Sequence, residues 1–212
     1  MDDQLNKDMA LMRKALDADL AADQPRMPAQ PLLVAMCGLP GTGKSYFAAR
    51  LTEQVPFLVL ETDRLRKVLV ERPKYTTGEH RRVFNSCYYL IDEYLTEGYS
   101  VLFDATNLNE DFRSHLYDIS ESTGAPLALV HATAPENTVR NRLKERKADR
   151  HANTYSDAGW LIYTRMIPVE EPVQREHYAL DTSKNINPVL EQVVKWAKSG
   201  GQIPATNSKL PQ

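Results

Sequence analysis

Eight consecutive residues, Gly38-Leu39-Pro40-Gly41-Thr42-Gly43-Lys44-Ser45, fill every fixed position of the spacing G-x-x-x-x-G-K-[ST]. Each residue type there has a mechanical part. Glycines reach backbone conformations closed to residues with a Cβ, so successive N–H groups can point inward around a polyphosphate. Lys44 supplies a mobile point charge for the outer phosphates, and Ser45 a hydroxyl for Mg²⁺. A helix opening at this point adds its N-terminal N–H groups and dipole to the same anion site, with Tyr46 just inside it. The chemistry served by this spacing is the binding of a nucleoside triphosphate.

Further along, carboxylates and cations recur in types that suit such a ligand. Asp63 and Arg66 are three apart in Glu61-Thr62-Asp63-Arg64-Leu65-Arg66, so on a helix they share a face. A carboxylate there can accept the proton of an attacking hydroxyl, while the arginine binds an anionic group on the acceptor. The same aspartate can equally be a helix cap beside a solvated arginine. Asp104 follows the apolar run Val101-Leu102-Phe103 and can hold Mg²⁺ or a water bound to it. Thr106 and Asn107 follow with further polar groups; a simple turn aspartate is the plainer reading of this segment. A basic run comprises Arg140, Arg142, Lys144, Arg146, Lys147 and Arg150. Arginines that close over a transferring phosphoryl group stabilise its spread charge, and a mobile lid carrying them excludes water. Alone, such a run reads as a solvated helix face. Arg142 and Arg146, four apart, can face one ligand.

The elements that must position these groups alternate. Leu32-Leu33-Val34-Ala35-Met36-Cys37 is a short apolar run, as expected of a buried parallel strand, and the glycine loop and a helix follow it. Further strands are expected at Phe57–Leu60, Ser100–Phe103, Leu127–Val130 and Tyr178–Leu180. Helices are expected at Asp63–Val70, Glu79–Thr96, Glu110–Ser122, Pro135–Lys147, Ala152–Ile167 and Pro188–Lys198. Such alternation predicts an α/β fold: a mainly parallel five-stranded sheet between helical layers, with a helical lid. Ligand groups then gather at the carboxyl ends of the strands, where the loop, Asp63 and Asp104 fall. Residues 1–24 read as an amphipathic helix through Leu5, Met9, Met12, Leu16 and Leu20, packed on the domain or on a partner. Residues 25–31 read as a proline-rich linker, 32–199 as the main domain and 200–212 as a disordered tail.

Composition bounds the rest. The 212 residues suffice for one α/β domain, and 42% hydrophobic with 25% charged residues is ordinary for a globular chain. A net charge of −2 gives no overall basic field, so nucleic acid is not the favoured partner. Cys37 and Cys87 are too few for a disulfide scaffold and read as buried free thiols. The five histidines lack metal-ligand spacing; His131 reads as structural, and Tyr88, Tyr89 and Tyr94 as packing. No apolar segment is long enough to span a membrane, and the N-terminus has no signal-peptide pattern. A cytoplasmic location is expected.

Taken together, these motifs resemble the small P-loop kinases of the AAA_33 type, whose relatives include polynucleotide 5′-hydroxyl kinases and zeta-toxin-like kinases. The resemblance covers roughly residues 32–183. It rests on the Gly38–Ser45 loop, on Thr62-Asp63-Arg64-Leu65-Arg66, on Val101 through Asn109 with Arg113, on Arg140 through Arg146, and on Leu180-Asp181-Thr182-Ser183. It implies a P-loop NTPase three-layer sandwich, ATP as donor, Mg²⁺ as cofactor and a hydroxyl acceptor of small-molecule or nucleotide type. It implies Asp63 as base, Arg66 near the acceptor, Arg142 or Arg146 as the lid arginine, and Thr182 and Ser183 near the adenine. Arg113 stands where relatives often carry a pair of arginines for the acceptor; here Phe112 precedes it. The expected function is an ATP-dependent kinase, with a nucleotide-gated binding module or a plain ATPase as alternatives.

Overall fold

The computed structural model describes residues 3–23, 30–148 and 159–202. Five strands form one sheet: β1 (Leu33–Cys37), β2 (Leu58–Glu61), β3 (Val101–Asp104), β4 (Leu127–Thr133) and β5 (Tyr178–Asp181). They lie in the order β2-β3-β1-β4-β5, and every pairing is parallel. Successive strand residues face opposite sides, so β1 feeds two cores. Leu33, Ala35 and Cys37 join the core beneath α1 (Asp3–Asp23), α3 (Thr62–Leu69), α4 (Thr77–Thr96) and α5 (Glu110–Thr123). Val34 and Met36 join the opposite core beneath α2 (Lys44–Thr52) and α8 (Asn187–Lys198). This is the expected three-layer α/β/α sandwich.

A third, smaller apolar cluster joins Leu39 and Leu108 to Val139, Leu143 and Tyr163. It seats α6 (Glu136–Ala148) and α7 (Trp160–Met166) against the glycine loop. Of the helix expected at Ala152–Ile167, Trp160–Met166 is helical and runs into a 3-10 turn at Ile167–Val169, while 152–158 lie outside the described residues. Arg150, most of the 25–31 linker and nearly all of the 200–212 tail also lie outside them.

Of the helix expected at residues 1–24, the described part, α1, is built into the sandwich. Met12 and Leu16 are fully buried beside α4, and Asp8, 2% exposed, accepts two hydrogen bonds from Arg82 on that helix. Asp19 binds Arg64 of α3, the neighbour of Asp63.

Two of the boundary differences have a visible cause, one local and one from a distant partner. The α4 helix starts at Thr77 rather than Glu79, because Thr76 caps it: its hydroxyl accepts from the Glu79 N–H at 3.2 Å. The Glu79 carboxylate reaches back to the N–H groups of Lys74 and Tyr75, a variation on the reciprocal capping box. The β4 strand runs three residues beyond Val130, because β5 pairs with it through Thr133. Tyr88 and Tyr94 pack in the core as expected, whereas Tyr89 is 47% exposed.

Candidate active site

The loop between β1 and α2 takes its shape from glycine. Gly38 has φ +125°, and a Cβ there would stand 2.2 Å from the Ala132 carbonyl oxygen of β4. That close approach lets the Gly38 N–H donate to the Thr106 carbonyl at 2.8 Å, tying the loop to the end of β3. Gly43 is the left-handed N-cap of α2 (φ +93°), and Thr182 fills the space where its side chain would be. Lys44 is 9% exposed, and its Nζ donates to the Leu39 carbonyl at 2.9 Å.

A cleft of about 420 Å³ opens over this loop at the carboxyl end of the sheet. Pro40, Gly41, Gly43, Lys44, Ser45 and Tyr46 form its floor. The ends of β2 and β3 and the start of α3 contribute Glu61, Thr62, Asp63, Arg66, Asp104 and Thr106. Arg142 and Arg146 come from α6, Ile162 and Met166 from α7, and Thr182 from the end of β5. Tyr75, His80 and Phe84 close the remaining wall. Asp63 is the second residue of α3, whose N-cap is Glu61, and it lines the cleft beside Lys44 and Ser45.

Charge in the cleft is tightly balanced. Burial pushes the Lys44 ammonium towards its neutral form, opposed by the carboxylates of Asp104 and Asp63. Burial raises Asp104, opposed by the Lys44 charge and by a hydrogen bond from the Ser45 hydroxyl. Glu61 stands opposite Asp104 in the β2–β3 register. Burial, with Asp104 and Asp63 adding to it, pushes Glu61 up to about 7. His80 is driven down to about 4 by burial and by the Arg66 charge. Both thiols are buried, and burial pushes each up to about 12, so neither is a thiolate nucleophile near neutral pH.

A Mg²⁺ ion fits the groups present. The Ser45 hydroxyl and the Asp104 carboxylate, 5% exposed, line the same cleft beside Lys44. That is an oxygen donor pair of the kind hard cations take, with room left for phosphate oxygens and water.

Several residues singled out in the sequence do other work. Arg113 is not in the cleft. It is 1% exposed, and it donates to the carbonyls of Asn107, Glu171 and Pro172 and to the Glu110 carboxylate. Its guanidinium is consumed in holding the chain after β3 to the segment before β5. Asn107 is fully buried behind the loop, with φ +44°, and its Nδ2 donates to the Met36 carbonyl at 2.8 Å. Ser183 is exposed beyond the cleft wall, and its hydroxyl and N–H both donate to Asp181. Leu39 turns its side chain into the lid cluster and contributes its carbonyl to Thr42 and Lys44.

Arg142 reaches the cleft but is held by Thr182, through the hydroxyl and the carbonyl, each at 2.8 Å. The Thr182 hydroxyl in turn donates to the Thr42 carbonyl. This chain of bonds latches α6 and β5 to the loop. Arg146, one turn on, lines the cleft and contributes positive charge felt by Lys44.

The sequence reading missed Glu61, Tyr75, His80 and Phe84. Glu61 was findable, since it ends a strand on the same edge as Asp104. The Thr76–Glu79 capping pair would have located the start of α4 and placed His80 in its first turn. The left-handed backbone of Tyr75 (φ +54°) carries no such signal.

Comparison with known proteins agrees with this fold. L-seryl-tRNA(Sec) kinase of Methanococcus maripaludis is 28% identical over 120 residues, 54% of this chain and 46% of that protein. The match therefore spans about half the length of this curated relative. Among solved structures, Kti12 of Chaetomium thermophilum bound to ADP-AlF3 superposes with a TM-score of 0.63 at 16% identity, covering 80% of this chain and 99% of that one. A sugar kinase from Janibacter sp. gives 0.59 at 15% identity, covering 81% and 99%. The APS kinase CysC of Mycobacterium tuberculosis, with AMPPNP and APS, gives 0.57 at 19%, covering 79% and 98%. These likenesses establish a fold shared with P-loop kinases. A family model described as an AAA domain, AAA_33, matches residues 33–161, and with the phosphate loop at its head the chain belongs to that family.

Proposed function

We propose that this protein is an ATP-dependent kinase that transfers the γ-phosphoryl group to a hydroxyl of a small acceptor. The observation that carries the reading is that Asp63 and Arg66 line the same cleft as Lys44 and Ser45. A carboxylate and a second cation in the cleft with the phosphate loop support transfer chemistry there, since a hydroxyl acceptor needs a base and its charge a partner.

Backbone N–H groups of the loop and Lys44 hold the phosphates of ATP. Ser45 and Asp104 would hold Mg²⁺, which when bound neutralises phosphate charge. Asp63 orients the acceptor hydroxyl and takes its proton. The hydroxyl oxygen then forms a bond to the γ-phosphorus as the bond to the bridging oxygen breaks, and ADP leaves with that electron pair. Arg146 balances charge on the transferring group, while Arg142 positions the lid through Thr182. The lid cluster around Tyr163 excludes water from the transfer.

The test is incubation with labelled ATP and Mg²⁺ across a library of hydroxyl compounds that includes sugars, nucleosides, hydroxy acids and tRNA. Label is expected on an acceptor. Lys44→Ala should abolish nucleotide turnover. Asp63→Ala should abolish transfer while sparing ATP binding. Label confined to ATP and free phosphate across the library, or transfer surviving in Asp63→Ala, would refute the reading. Label on tRNA alone would refute the small-acceptor part of it.

A further inference from the structure

The helix that carries Asp63 is short. α3 has eight residues, and a helix of about two turns is marginal on its own, so tertiary contacts set its orientation. Its side chains divide among three surroundings. Asp63 and Arg66, three apart, line the cleft. Leu65, fully buried, and the partly buried Leu69 enter the core. Arg64 reaches α1 instead. Its Nη1 donates to Asp19 Oδ2, and its Nη2 donates to Asp19 Oδ1 at 3.0 Å and to the Ala15 carbonyl at 3.3 Å. With the Arg64 side chain 25% exposed, the pair is partly sheltered from water.

α1 is a firm base for that contact. Its ties to α4 are spread along it: Asp8 accepts from Arg82, Arg13 donates to Glu93 and Glu97, and Asp17 accepts from the Tyr94 hydroxyl. Met12 and Leu16 are fully buried in the same apolar cluster as Leu65. Asp19 lies just beyond these anchors and turns to α3. Apolar burial at Leu65 holds the helices together but is non-directional. A forked arginine–carboxylate pair fixes direction as well as distance, so it limits rotation of α3 about its axis. Such rotation would carry Asp63, the residue next to Arg64, across the cleft. α1 precedes the 33–161 span that the family model matches, so the family pattern gives it no part.

We infer that Asp19, acting through Arg64, is a positioning residue for phosphoryl transfer: α1 braces α3 so that Asp63 meets the acceptor hydroxyl. The inference rests on the kinase reading and adds to it a helix outside the cleft. The brace serves the transfer step rather than ATP binding, because the phosphate loop takes its own ties from Thr106 and Thr182.

The test measures transfer from labelled ATP at saturation with Mg²⁺, using a mixture of sugars, nucleosides, hydroxy acids and tRNA as the acceptor probe. A misplacement of 1 Å costs about a hundredfold in rate, so Asp19→Ala, which frees α3 by part of that, should slow transfer about tenfold. AMPPNP affinity should be unchanged. Asp19→Glu keeps two acceptor oxygens and should retain most of the rate. Arg64→Lys keeps the charge but loses the fork, and should fall with Asp19→Ala. Asp17→Ala is the control. It takes the acceptor from the buried Tyr94 hydroxyl, so it should lower the melting temperature at least as much as Asp19→Ala, yet transfer at the wild-type rate. Hydrogen exchange read by mass spectrometry should show the α3 amides of Asp19→Ala exchanging faster, with those of α4 unchanged.

A wild-type transfer rate in Asp19→Ala overturns this inference and leaves the kinase reading standing. So does an equal loss of rate in Asp17→Ala or in Asp19→Glu, which would make the contact merely structural, and so does unchanged exchange in α3. Wild-type protein that labels no acceptor removes the kinase reading and this inference with it.

Discussion

Replacing Arg113 separates two accounts of the same residue. As an acceptor ligand, its loss would weaken substrate binding and leave the fold intact. As the buried tie seen here, its loss strands the carbonyls of Asn107, Glu171 and Pro172, which it reaches at 2.8, 3.1 and 2.9 Å. It also strips the Glu110 carboxylate of a cation, though Tyr117 and the Gln174 N–H still donate to that group. Hydrogen bonds from charged donors are worth about 1.5–3 kcal/mol net, which for three carbonyls is an upper bound because water can enter the space left. Removing one partner of a buried charged contact typically costs about 3–5 kcal/mol, and that is the expectation for Arg113→Ala. For a chain of this size each kcal/mol moves the melting temperature by about 2–4 °C, so the fall should be about 6–20 °C. Thermal denaturation followed by circular dichroism reads it, with AMPPNP affinity measured well below the transition. A melting temperature within about 2 °C of wild type, together with a raised KM for the acceptor, would refute the structural account.

Two further outcomes follow from the same reasoning. Glu61 is raised to about 7, so its folded-state pKa lies above the unfolded one. The protonated form is favoured in the fold, and the stability it contributes is complete below about pH 4.5 and lost as pH rises through about 7. Glu61→Gln should therefore melt higher than wild type at pH 8 in the absence of Mg²⁺, with the difference vanishing near pH 4.5; a constant difference across that range would count against the burial argument. Met12 is fully buried between α1 and the rest of the core, so Met12→Ala should cost about 2–5 kcal/mol in urea denaturation. A negligible effect would mean that α1 is not part of the fold.

Much of this protein was legible before any coordinates because its signals are local. The strand–loop–helix around Gly38 to Ser45 depends on consecutive residues and on backbone angles that glycine allows. The alternation of short apolar runs with helical periodicity implies a parallel sheet, and the rule that ligands gather at strand ends points to Asp104. Boundaries failed where distant partners decided them, as where β5 prolongs β4.

The fates of the arginines were not local. Arg66, Arg113 and Arg142 each sit on a helix near polar neighbours, and nothing in their spacing distinguishes them. Packing buries Arg113 under carbonyls from a segment nearly sixty residues away, ties Arg142 to Thr182, and leaves Arg66 lining the cleft with two nitrogens that have no partner among the described residues. Likewise His80 becomes a feature of the site only because α4 crosses behind α3 and lays Phe84 beneath it. The sequence by itself determined the phosphate-binding loop and the order of the elements, since both follow from short-range backbone geometry and periodicity. The tertiary structure alone decided which charges the fold consumes and which remain for a ligand, because burial and pairing depend on residues far apart in the chain.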